Sequence, residues 1–110
     1  MSVSDLLTEL GFKPFSKGWF YLCDCIALLK SDPTAKLTAV YYAVGKRYGV
    51  EASAVERLCR HTIHATLLRS RHGVFETVLG QPFDSSNGYT VSRFFGLCVA
   101  AIYRRNNGGN

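Results

Sequence analysis

Gly49-Val50-Glu51-Ala52-Ser53-Ala54-Val55-Glu56-Arg57-Leu58-Cys59-Arg60-His61-Thr62-Ile63-His64 is the stretch on which the fold turns. Gly49 can adopt the left-handed conformation that closes a helix. The segment before it, Leu37 to Tyr48, places Val40, Tyr41, Val44 and Tyr48 at helical spacing, with Lys46 and Arg47 suited to a last turn. After Gly49, Val50 to Ala52 form a tight connection. Ser53 then reads as an N-cap, with Glu56 at the reciprocal position of a capping box. The pattern continues to about Arg69 and predicts a helix over 54–69. A helix, a glycine, a short turn and a capped basic helix follow one another as in a helix-turn-helix.

A helical wheel separates the two faces of 54–69. With about 100° per residue, Leu58, Cys59, Thr62 and Thr66 fall within about 60° of Val55, and Ile63 lies slightly further round. These residues are the expected core stripe. Glu56, Arg57, Arg60, His61 and His64 span roughly 140° on the opposite side, with Ser53 at its head. A solvated helix would tend to interleave Lys and Glu at ion-pair spacing. This face carries two arginines and two histidines around one acid, and no lysine. Arginine presents a planar fork that matches the two acceptors of a guanine edge, and glutamate can accept from the cytosine amino group. Ser53 suits a phosphate or a base edge as well as a cap. His61 and His64 suit either groove contact or bonding to carbonyls. Lys46 and Arg47 suit either the helix dipole or flanking phosphates.

The same signals extend outward. Ser2 and Asp5 can start a short helix ended by Gly11. Ser16 caps a second helix to about Lys30, with Trp19, Leu22, Cys23, Ile26 and Leu29 on one stripe, and Asp32-Pro33 stops it. Val74 to Leu79 forms a short helix closed by Gly80, Pro82 to Gly88 a polar loop. Thr90 or Ser92 opens a last helix to about Arg105, with Phe94, Phe95, Leu97, Cys98, Ala101 and Ile102 mostly inward. The expected architecture is therefore all-α, about six helices in one domain over 1–105, with a disordered tail at 106–110.

Composition agrees with a folded domain. The 110 residues are 47% apolar, with seven Phe, six Tyr and one Trp, enough for a core. The longest apolar stretch, Trp19 to Leu29, is interrupted by Asp24 and falls short of the roughly 20 residues of a membrane span. No export signal is visible, and Cys23, Cys25, Cys59 and Cys98 all sit in apolar helical patterns, so reduced core thiols and a cytoplasmic, nucleoid-associated protein are expected. The net charge is +5, and Lys46 to Arg71 holds six Lys or Arg against two acids, with His61 and His64 inside it and His72 just beyond. A local basic surface of this kind fits a polyanion.

The words Ala52-Ser53-Ala54-Val55-Glu56-Arg57 and Arg60-His61-Thr62-Ile63 resemble the recognition-helix signature of the C-terminal effector domain of the sporulation initiation response regulator of endospore-forming bacteria. Leu10-Gly11, Lys17-Gly18, Tyr21-Leu22, Leu37-Thr38, Val40, Tyr42, Lys46-Arg47-Tyr48 and Phe94 fit in order and spacing, so the resemblance spans about Leu6 to Arg104. It implies a six-helix fold and sequence-specific binding of double-stranded DNA at promoter boxes. It also implies a homodimer on tandem sites that meets through the C-terminal helix. DNA contacts carry over to Ser53, Glu56, Arg57, Arg60 and His61. The sequence departs from the family at Ala54, where a basic residue is usual, at Ala39 for a lysine, at Ala43 for a proline, and at His64 for an acid. Ala54 and Ala39 each remove an expected contact. The receiver domain that controls that regulator has no counterpart here, so control by phosphorylation and a role in sporulation are not implied.

Two other classes compete. A protein-interaction domain that keeps the fold and has lost DNA contact is motivated by Ala54 and Ala39. An enzyme or metal site finds no support. Cys59 points to the core stripe while His64 points away, Cys23 and Cys25 diverge, no Cys-x-x-Cys pair occurs, and no Gly-rich phosphate loop follows a strand. No cofactor, metal, membrane or small-molecule substrate is expected.

Overall fold

The computed structural model describes residues 1–71, 73–83 and 90–107. Among the described residues the chain forms six helices and no strand: α1 (Val3–Glu9), α2 (Lys17–Ser31), α3 (Leu37–Tyr48), α4 (Ala52–Arg69), α5 (Val74–Leu79) and α6 (Val91–Asn107). Local chemistry sets most of their ends. The Ser2 hydroxyl accepts from the Asp5 amide at 3.1 Å, and the Asp5 carboxylate accepts from the Ser2 amide at 3.3 Å, a complete capping box. The bond from the Ser2 amide, followed by the Ser2 side chain, holds the Asp5 carboxyl below its ordinary pKa. The Ser16 hydroxyl accepts from the Trp19 amide at 3.2 Å. Thr90 does the same for Arg93 at 3.0 Å, so Thr90, not Ser92, opens α6. The last helix runs past Arg105 through Asn107, where it is held by the N-terminus: the Met1 ammonium donates to Asn106 at 2.6 Å, and Arg105 pairs with Glu9 at 2.6 Å. Of the loop expected over Pro82 to Gly88, residues 84–88 lie outside the described residues, as do His72 and the last three residues.

Helix α2 is the hub. It packs against α1, α3, α4 and α6, and α6 also packs against α1, α4 and α5. The centre of the core is Leu22, Cys25 and Ile26 of α2, Val44 of α3, Val55, Cys59 and Ile63 of α4, and Phe94, Phe95, Cys98, Ala101 and Ile102 of α6. Phe12, Phe75, Phe83 and Phe94 form a second, aromatic part of that core, with ring centroids 5.7–6.1 Å apart. It clamps the α1–α2 linker and α5 onto α6. Outside α4, three stripe positions are less inward than their spacing implies: Tyr48 is exposed, and Cys23 and Leu97 are half-buried.

The joint between α3 and α4 is the fold's sharpest feature. Gly49 takes φ +70° and ψ +34°, and the Gly49 and Val50 amides both donate to the Gly45 carbonyl, which closes α3. Gly45 is needed because a Cβ there would lie 2.5 Å from the Val50 carbonyl oxygen. This tight closure changes where α4 begins. The Ala54 and Val55 amides already donate to the Glu51 carbonyl, so Glu51 is the N-cap, with no side-chain cap bond. The expected cap at Ser53 and its capping box with Glu56 are therefore corrected: Ser53 lies inside the first turn, two residues into the helix. The turn geometry outweighs the local preference of serine, because the chain reverses within Gly49 to Glu51 and leaves Glu51 extended at ψ 150°.

Candidate nucleic-acid interface

The two faces of α4 separate as the wheel predicts. Val55, Cys59, Ile63 and Thr66 are buried, and Leu58 and Thr62 are half-buried. Ser53, Arg57, Arg60, His61 and His64 are exposed, and Glu56 is half-buried. Gly18 of α2 sets the depth at which α4 sits, since a Cβ at that position would lie 2.1 Å from the Thr62 hydroxyl. The two helices thus meet with almost no side chain between them at this point.

Within the exposed face, the Arg60 Nε donates to the Glu56 carboxylate at 3.0 Å, an i,i+4 ion pair with both side chains over a third exposed. Exposed pairs of this kind add about 0.3–0.5 kcal/mol to stability. Their larger effect here is on shape: the pair restricts the Arg60 fork before any partner arrives, which reduces the ordering cost of binding. Arg57 and His61 share a shallow cleft with Lys17 and Tyr21 of α2. On its other side His61 shares a second cleft with Lys13, Ser16 and Arg69. The structure therefore groups Arg57 with His61, and Glu56 with Arg60, on one surface.

Lys46 and Arg47 stand apart from that surface. Both are exposed at the end of α3, but Arg47 turns to α2, where it pairs with Asp24 at 3.4 Å and lies 5.7 Å from the Tyr48 ring. The Tyr48 hydroxyl also donates to Asp24, and burial followed by that bond pushes its pKa up to about 12. Arg47 is thus partly engaged in fastening α3 to α2.

Sequence reasoning overlooked Lys13 and Lys17, which precede the basic segment by about thirty residues and join its surface only through packing. The signal for them was present in Gly18, a glycine inside an aromatic helix, where a close helix approach is one standard explanation. It also overlooked that Cys25 meets Cys59 across the α2–α4 interface. A hydrogen bond with Cys25, then burial, pushes the Cys59 thiol well above its ordinary pKa, and burial does the same to Cys98. Both stay protonated and inert at neutral pH. Among the described residues no group of three His, Cys, Asp or Glu side chains is placed to hold a metal, and no helix is long and apolar enough to cross a membrane.

A six-helix domain whose basic helix follows a three-residue turn and turns its polar face to solvent has the surface a DNA groove requires. The sequence profile of the sporulation initiation factor Spo0A C-terminal domain matches residues 3–102. No solved structure matches the chain.

Proposed function

The chain belongs to the Spo0A C-terminal domain family, which is DNA-binding and regulates transcription, and from that premise we propose that it reads duplex DNA by seating α4 in the major groove. Ser53, Glu56, Arg57, Arg60, His61 and His64 face the base edges in this reading, and Lys46 and Arg47 face flanking phosphates. The observation that carries it is the exposure of Arg57 and Arg60 on the side of α4 opposite its buried stripe. Arg57 has no acidic partner among the described residues. Its fork is available for the two acceptors of a guanine. Arg60, oriented by Glu56, is pre-positioned for a second base.

Two copies on tandem boxes would meet through α6. Tyr103 is 69% exposed there, beside an apolar cleft lined by Leu29, Leu37, Phe95 and Val99. This supports a protein contact at a cleft that shares no lining residue with the shallow clefts around His61. Cooperative binding to paired boxes, lost with Tyr103→Ala while single-box affinity is kept, is the expected result.

Selection of duplexes from a random pool, at two salt concentrations, tests the main reading. A shared sequence motif is expected, with affinity falling steeply as salt rises. Arg57→Ala should weaken binding by about 1–3 kcal/mol and relax preference at one base position. Unchanged selection by Arg57→Ala and Arg60→Ala would remove α4 from the groove. Salt-insensitive partner binding with no duplex retained would instead favour a domain that uses the fold for protein contact, as Ala54 and Ala39 suggest.

A further inference from the structure

We propose that Lys13 and Lys17 form a second DNA contact, gripping phosphates on the strand that borders the groove α4 enters. This inference rests on the reading of α4 as the groove-facing helix. Its geometry centres on His61, which lines two adjoining clefts. Lys17 and Arg57 form walls of one, and Lys13 and Arg69 form walls of the other. No acid lines either cleft. Lys13 and Lys17 are exposed, and neither has an acidic partner among the described residues. Four permanent cations around a histidine, with no counter-charge, repel one another in the free protein. A polyanion that follows the surface relieves that repulsion.

Both lysines are held in place. Lys17 precedes Gly18, the point at which α2 touches Thr62, so its backbone is pinned to α4. Its ammonium lies 5.9 Å from the Tyr21 ring centroid, a cation–π distance. Lys13 is fixed through Ser16, whose hydroxyl donates to the Lys13 carbonyl at 2.9 Å while accepting from the Trp19 amide. Side chains that stand beside a helix in a groove about 12 Å wide meet the sugar-phosphate rail before any base. Lysine suits that role as a point charge without base preference.

The test compares the wild-type chain with Lys13→Ala/Lys17→Ala on the selected duplex from 50 to 200 mM salt. Each phosphate contact contributes about 0.9 to the slope of log affinity against log salt, so the double variant should lose about 1.8. Over that fourfold salt range the wild type should then weaken about 12-fold more than the variant. The selected sequence should stay the same, and Lys13→Arg/Lys17→Arg should restore the slope. A variant that binds the same sequence with the wild-type slope overturns the proposal and leaves the reading of α4 intact. A variant with an altered sequence preference overturns it as well, by assigning the lysines to bases. A wild-type chain that retains no duplex fails at the α4 reading itself.

Discussion

Gly18→Ala should destabilise this domain, although glycine to alanine within a helix ordinarily stabilises it. The new Cβ would lie 2.1 Å from the Thr62 hydroxyl and 2.9 Å from both its Cβ and its methyl. Carbon contacts settle at about 3.5–4.0 Å. Rotating the Thr62 side chain can move its hydroxyl, but its Cβ is fixed by the α4 backbone and stays too close. The helices must therefore part. Overpacking of this kind costs about 1–3 kcal/mol, and a contact this short falls at the upper end. The helical preference of alanine over glycine returns about 0.5–1 kcal/mol. The net loss is about 2 kcal/mol, which lowers Tm by about 8 °C for a domain of this size. Thermal and urea denaturation followed by circular dichroism would measure it. Thr62→Ala removes the hydroxyl and the methyl but keeps the Cβ, so Gly18→Ala/Thr62→Ala should recover part of the loss, with a coupling energy of about 1 kcal/mol. A Gly18→Ala protein more stable than wild type, or a double variant showing no coupling, would refute the close approach of α2 and α4.

Gly49→Ala places a side chain at φ +70° and should cost about 1–2 kcal/mol, read from the urea midpoint. Glu56→Gln removes the carboxylate that holds Arg60, so stability should change by less than about 1 kcal/mol while duplex selection shifts or loosens; a stability loss with unchanged selection would contradict the orienting role. Asp24→Asn replaces the charged acceptor of Tyr48 with a neutral amide, and spectrophotometric titration should find the Tyr48 phenol ionising below its wild-type value of about 12. Stability should also fall at alkaline pH. Cys23 is pushed up to about 11 by burial and then by Asp24, and Cys59 and Cys98 are raised too, so the folded chain keeps protons that the unfolded chain releases near its ordinary thiol value of 9.0. That stabilisation is complete below about pH 9 and is lost as pH rises toward the folded values. A urea midpoint unchanged between pH 8 and 11 would contradict it.

Much of the site was legible because it lies on one helix. The positions of Arg57, Arg60, His61 and His64 relative to Val55 and Cys59 follow from 3.6 residues per turn, and the structure exposes the first four and buries the last two. Arg47 was less legible: its partner Asp24 is 23 residues away, on a helix whose angle to α3 no local pattern specifies.

Ser2, Ser16 and Gly49 act on amides or carbonyls within five residues of themselves, so the six helices and most of their ends could be read from the sequence alone. The start of α4 at Ala52, the meeting of Cys25 with Cys59, and the arrival of Lys13 and Lys17 beside His61 could not. The first depends on how tightly α3 closes against the chain that follows Gly45, the other two on how closely helices distant in sequence approach one another. That distance is set by a few side-chain volumes, above all the missing side chains of Gly18 and Gly45, once the whole core has packed.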